Sequence, residues 1–179
     1  GYPKGAIWEY LMTLANSNYE DWRLANPNED IDNFKFSFSK MSKAGALFDM
    51  VKLADVSKNY ICRLSAEEVY EMVTDWAKEN NKKLYKLLVD DEEYAKAIFA
   101  IERGNAKPRK DISAWTDVEN YVSYFYSELW DRKFDFPDNL SNDDMIEILE
   151  LYKQIYDENV SSDDWFPQVR DMAETIGYA

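Results

Sequence analysis

Four groups of side chains in this sequence have the types and spacing that chemistry needs. The acidic pairs Asp90-Asp91, Asp143-Asp144 and Asp163-Asp164 have the composition for proton transfer or for a divalent cation. Cys62 stands beside Arg63, and a cationic neighbour is what lowers a thiol's pKa. Arg103-Gly-Asn-Ala-Lys107-Pro-Arg109-Lys110 sets four cations and no anion in eight residues. Long cationic side chains on a connection of this kind reach phosphate oxygens without crowding. The run from Trp115 to Trp130, with Tyr121, Tyr124, Phe125 and Tyr126 between, offers flat faces on which bases stack.

Most of that chemistry is excluded by what is missing. The chain contains no histidine, so a Ser-His-Asp triad, a Cys-His pair and a His-ligated metal are ruled out. A single cysteine allows neither an internal disulfide nor a multi-cysteine zinc cage, and it points to a reducing interior such as the cytoplasm. Without an activating histidine, Cys62 reads as a small packed thiol. Each acidic pair falls where a helix begins, and a carboxylate there stabilises the positive end of the helix dipole. No catalytic residue and no metal ligand is assigned. The basic stretch keeps two readings, phosphate contact or a solvated loop, and so does the aromatic run, stacking platform or core stripe.

The elements that must carry these groups read as helix after helix. Ile7, Leu11 and Leu14 follow Pro3 at helical spacing, and Asn18 is placed to cap a helix over 19–25 that must stop near Pro27. Ser65-Ala-Glu-Glu68 has the capping-box form, with Val69, Met72, Val73 and Trp76 on one stripe. Asp90–Glu93 opens another helix, with Gly104 placed for a left-handed turn after it. Thr116-Asp-Val-Glu119 predicts a second capping box and a helix running on through Leu129. Ser141 and Ser162 start the last two helices, and Pro167 predicts a separate or kinked first turn in the final one. Phe34-Lys-Phe-Ser-Phe38 alternates with period two, the pattern of a strand. The expected fold is therefore all-α, with a possible minor β element near residues 34–39. At 179 residues, with 46% apolar and 16% aromatic positions, one domain or two small subdomains can fold unaided. No apolar run reaches the roughly 20 residues of a membrane span.

Charge divides the chain. Residues 1–110 hold 17 Lys+Arg against 18 Asp+Glu, and residues 111–179 hold 4 against 17, so the net charge of -14 comes almost wholly from the last third. A pI near 4.4 argues against polyanion binding, but phosphate contact depends on cations within a Debye length of about 8–10 Å. Any polyanion would sit on the first two-thirds.

Lys40-Met-Ser-Lys43-Ala looks like the ATP-binding loop of class I aminoacyl-tRNA synthetases. That loop works beside a nucleotide-binding α/β domain and a His-Ile-Gly-His motif, and this sequence supplies neither. A broader resemblance accounts for it. Gly1-Tyr-Pro-Lys-Gly-Ala-Ile-Trp-Glu-Tyr-Leu, Gly45-Ala-Leu-Phe-Asp-Met-Val-Lys-Leu53, Ser65-Ala-Glu-Glu-Val69, Tyr94 through Lys107-Pro-Arg-Lys-Asp111, and Asp164-Trp-Phe166 through Gly177-Tyr-Ala179 together resemble the C-terminal, tRNA-binding part of bacterial-type glutamyl-tRNA synthetases.

The resemblance implies a right-handed multi-helix bundle or cage of the class I anticodon-binding type. It divides the chain into a stem-contact-like segment, 1–64, and the first part of an anticodon-arm-binding region, 65–179. It implies that Gly1 follows a catalytic domain, that Phe48, Asp49, Lys52 and Leu53 lie on helices along the inner corner of the tRNA, and that family members continue past Ala179 into a further helical subdomain that helps read anticodon bases. The expected function is to position tRNA(Glu) for ATP-dependent aminoacylation carried out elsewhere in the parent, a cytoplasmic enzyme. No cofactor is expected in this piece, with ATP and Mg²⁺ in the parent's catalytic domain. The expected partners are tRNA(Glu) and the rest of the synthetase chain, with no membrane and a monomeric state. Lys40, Lys43, Arg103, Lys107, Arg109 and Lys110 are the candidates for backbone contact. The alternative is an acidic helical module that docks a basic protein and binds no nucleic acid.

Overall fold

A computed structural model describes residues 1–41, 45–131 and 139–177. It divides into two compact units, 1–131 and 132–179. Nine α-helices and short 3₁₀ turns make up the regular structure of the described residues, and no strand is present among them. None of these helices is long and apolar enough to cross a membrane.

The first unit begins with α1 (Lys4–Ala15) and α2 (Tyr19–Ala25). α1 packs along α3 (Met50–Ile61). The approach is close at Gly5, where a Cβ would stand 2.4 Å from the Tyr60 ring, so any larger residue there must displace that ring. α3 starts on Asp49, whose Oδ1 accepts from the N–H groups of Val51 at 2.8 Å and Lys52 at 3.2 Å. The Asp49 N–H donates to Tyr10 Oη at 2.6 Å, which pins the start of α3 to the middle of α1.

The main core lies further on, in α4 (Ala66–Asn80), α5 (Lys82–Asp90), α6 (Glu92–Ala100) and α7 (Val118–Val122). Val69, Val73 and Ala77 of α4 meet Leu84 and Leu88 of α5, Ala95, Ile98 and Phe99 of α6, and Val118 and Val122 of α7. The capping box is made: Glu68 N–H donates to Ser65 Oγ at 3.2 Å and Ser65 N–H to the Glu68 carboxylate at 2.7 Å. These bonds hold the Glu68 pKa below the ordinary carboxylate range. The segment before α7 is stitched to the rest of the unit by Trp115 N–H on the Gly1 carbonyl at 2.8 Å and by Ser57 Oγ on the Ser113 carbonyl at 2.5 Å.

Several local expectations are corrected. Residues 34–38 form no strand: 3₁₀ turns occupy Ile31–Asn33 and Phe38–Lys40. Phe34 packs edge-on against Tyr19 while Phe36 and Phe38 pair with each other outside the core, so the alternation marks one buried ring rather than a sheet face. The box expected at Thr116–Glu119 is not made. Asp117 reaches back instead and accepts from Ser113 N–H, Ser113 Oγ and Ala114 N–H at 2.6–2.9 Å, and these bonds and nearby Lys58 outweigh burial and lower its pKa. The helix expected to reach Leu129 stops at Val122. Asn18 precedes α2 as expected, but its side chain makes no capping bond.

In the second unit, α8 (Asn142–Ile155) and α9 (Ser162–Thr175) pack together. Ser141 and Asp144 form a capping box at the start of α8, and Ser161 caps α9 by accepting from Asp164 N–H at 3.2 Å. α9 runs through Pro167 as one helix, so of the separate or kinked first turn expected there, the separate one is not formed.

Candidate functional site

Every acidic pair flagged for chemistry sits at a helix start. Asp91 Oδ1 accepts from Tyr94 N–H at 3.0 Å to open α6, Asp144 closes its box with Ser141, and Asp164 accepts from Ser161 Oγ at 2.7 Å. Cys62 is a buried free thiol at the end of α3, donating to the Asn59 carbonyl at 3.3 Å. Among the described residues no group of three His, Cys, Asp or Glu is placed to hold a metal.

The basic stretch 103–110 forms the loop that follows α6, with Gly104 at φ +78°, a conformation that a side chain disfavours. Its members are not equivalent. Arg103 is turned inward: Nε donates to the Phe99 carbonyl at 2.8 Å, and Nη1 to the carbonyls of Ile61 at 2.7 Å and Leu64 at 3.0 Å. The guanidinium thus caps the ends of α3 and α6 together, and burial lowers its pKa. Arg109 is exposed, with Nε bonded to the Asp111 carboxylate at 2.6 Å and 3.6 Å from Glu102. Lys107 and Lys110 are exposed and take part in no ion pair among the described residues. Lys107 N–H donates to Asn105 Oδ1 at 3.0 Å, an Asx turn that fixes the backbone beneath it.

Lys40 ends the 3₁₀ turn Phe38–Lys40 and is exposed. Its carbonyl accepts from Ser17 N–H at 3.1 Å, and buried Asn16 donates Nδ2 to the Ser37 carbonyl at 2.8 Å, so the connection between α1 and α2 positions it. Lys43 lies outside the described residues.

Beside the basic loop a groove of about 440 Å³ runs between α2 and α3 and is lined by Arg23, Lys52, Arg63 and Lys110 with Glu9, Glu20 and Asp55. Glu9 is buried on α1 and receives two guanidinium groups, Arg63 at 2.6 Å and Arg23 at 3.1 Å, a cluster with one surplus positive charge. Lys52 pairs with Glu20. The three acids of the lining balance Arg23, Lys52 and Arg63, and Lys110 brings the groove to a net charge of one positive. Arg23, Lys52 and Arg63 form no linear charge run, which is why a search for one passes over them. The signal available in the sequence is Glu9, a lone acid four residues ahead of Thr13 on an apolar helix.

The chain covers only part of the proteins it matches. The glutamate–tRNA ligase of Clostridium perfringens is 40% identical over 183 positions, spanning 100% of this chain and 34% of the relative. Those of Acetivibrio thermocellus and Sorangium cellulosum are 40% and 41% identical over 179 and 181 positions, again across 100% of this chain and 33% and 32% of theirs. No family model matches the chain, and no solved structure does. The relatives are aminoacyl-tRNA synthetases. Within that class the family is that of the glutamate–tRNA ligases: the chain is homologous over its full length to their C-terminal region and spans about a third of their length.

Proposed function

We propose that this chain is the tRNA-holding part of a glutamate–tRNA ligase and that it positions tRNA(Glu) for aminoacylation by the remaining two-thirds of the parent. The observation that carries the reading is the basic loop: Arg103 anchors it to α3 and α6, and Lys107 and Lys110 are left exposed and outside any ion pair among the described residues, Lys110 lining the groove that holds the Arg23–Glu9–Arg63 cluster. Lysines so placed donate charge-assisted hydrogen bonds to phosphates. Lys40 and Lys43 are further candidates for phosphate contact, and Arg109, though paired, is exposed enough to exchange Asp111 for a phosphate. Arg103 contributes by holding the loop. Residues 1–64 serve as the stem-contact segment and 65–179 as the first part of the anticodon-arm region. ATP and Mg²⁺ belong to the parent's catalytic domain, in a cytoplasmic and monomeric enzyme.

The reading is tested by reversing two charges. Lys107→Glu with Lys110→Glu is expected to weaken tRNA binding by about tenfold or more, with far-ultraviolet circular dichroism unchanged because both side chains are exposed. An unchanged isotherm would favour an acidic module that docks a basic protein.

A further inference from the structure

The aromatic run 115–130 is two things at once. Trp115, Val118, Val122 and Tyr126 enter the core, and Tyr126, edge-on to Tyr94 at 5.6 Å between ring centroids, is buried enough that its hydroxyl is pushed up to about 12. Tyr124 is the opposite: it is 78% exposed and has no hydrogen bond and no ring partner among the described residues. Phe125 beside it is 38% exposed, and its carbonyl is held by Tyr94 Oη at 3.0 Å, so the backbone that presents both rings is tied to α6.

These rings line an open groove of about 730 Å³ together with Tyr121, Asn120 and Arg109, within the roughly 300–1,000 Å³ typical of small-ligand sites. Of the two acids that border it, Asp117 is committed to the backbone of residues 113–114, and Asp111 pairs with Arg109 within the lining, an exposed pair that Arg109 can exchange for a phosphate. Beside those two acids its polar lining is the exposed Asn120 amide, the Thr116 and Tyr121 hydroxyls and the Arg109 guanidinium, facing an aromatic wall. That combination suits a flat heterocycle attached to a phosphate.

We infer that this groove takes one unpaired base of the bound tRNA, stacked on Tyr124 beside Phe125, with the Asn120 amide at the base edge and Arg109 on the adjoining phosphate. This rests on the tRNA-binding reading above and adds to it a stacking contact that is independent of net charge. An aromatic side chain from a protein partner is the competing occupant.

The test is the affinity of the intact chain for an unmodified tRNA(Glu) transcript, measured by fluorescence anisotropy across a salt series. Tyr124→Ala is expected to weaken binding about 5- to 150-fold, the range for losing one base–aromatic stack, with the dependence of log K on log salt unchanged because no phosphate contact is removed. Tyr124→Phe keeps the ring and is expected to bind as the wild type does. Wild-type affinity in Tyr124→Ala, or a loss in Tyr124→Phe equal to that in Tyr124→Ala, would overturn the stacking site and leave tRNA binding standing. Absence of binding by the wild-type chain would overturn both.

Discussion

Glu9→Ala is expected to cost about 3–5 kcal/mol of stability, read as a fall in the urea midpoint of the first unit, because it leaves buried charge without its partner. The Glu9 side chain is 7% exposed, and the guanidinium groups on either side, Arg23 and Arg63, are 11% and 19% exposed. Arg23 is further fixed by donating to the carbonyls of Asn26 at 3.0 Å and Glu29 at 2.6 Å, and it lies over the Trp22 ring, 4.8 Å from its centroid. It cannot swing out to solvent without uncapping the turn after α2. Removal of the carboxylate therefore sets two like charges against each other in a partly dry site. Glu9→Gln retains an acceptor and is expected to lose less. A loss below about 1 kcal/mol for Glu9→Ala would show that the two arginines are solvated well enough to stand alone.

Arg103→Ala is the second large effect, about 2–4 kcal/mol, since the carbonyls of Phe99, Ile61 and Leu64 lose this donor at once, Ile61 alone keeping the Leu64 N–H, and buried acceptors left bare are costly. Arg103→Lys is expected to recover under half of that, because one ammonium cannot reproduce the rigid fork that reaches Phe99, Ile61 and Leu64 together. The variant also separates anchoring from contact. If Arg103 acts by holding the loop, tRNA affinity falls in step with the destabilisation, and Arg103→Lys fails to restore it despite carrying the same charge. Restored affinity in an unrestored fold would mean that the cation itself touches the tRNA.

The helical architecture was legible because its signals are local. Ser65 with Glu68, Ser141 with Asp144, and Asp91 ahead of α6 are caps that neighbouring residues complete by themselves. The errors arose where a distant contact decided the outcome. Phe34-Lys-Phe-Ser-Phe38 has strand periodicity, yet Tyr19 and Trp22 claim Phe34 and no second strand is at hand. Thr116 and Glu119 have the spacing of a capping box, yet Asp117 between them folds back onto residues 113–114, which Ser57 holds in place from α3.

The candidate site divides the same way. The cationic run 103–110 is plain in the sequence, but its four members look alike there. Only the fold turns Arg103 inward, pairs Arg109 with Asp111 and leaves Lys107 and Lys110 exposed. The arginines gathered by Glu9 come from positions 23 and 63, too far apart in sequence for any local pattern to join them. The aromatic run needed the structure as well, since both of its readings hold, for different residues.

The most direct measurement is the salt dependence of tRNA binding by the intact chain. Local cations gripping a ribose-phosphate backbone release counterions, so log K should fall linearly with log salt, and loss of Lys107 and Lys110 should flatten that line by about 0.7–0.9 per phosphate contact. Affinity that does not change between low and physiological salt, or a slope that the double charge reversal leaves untouched, would contradict the account.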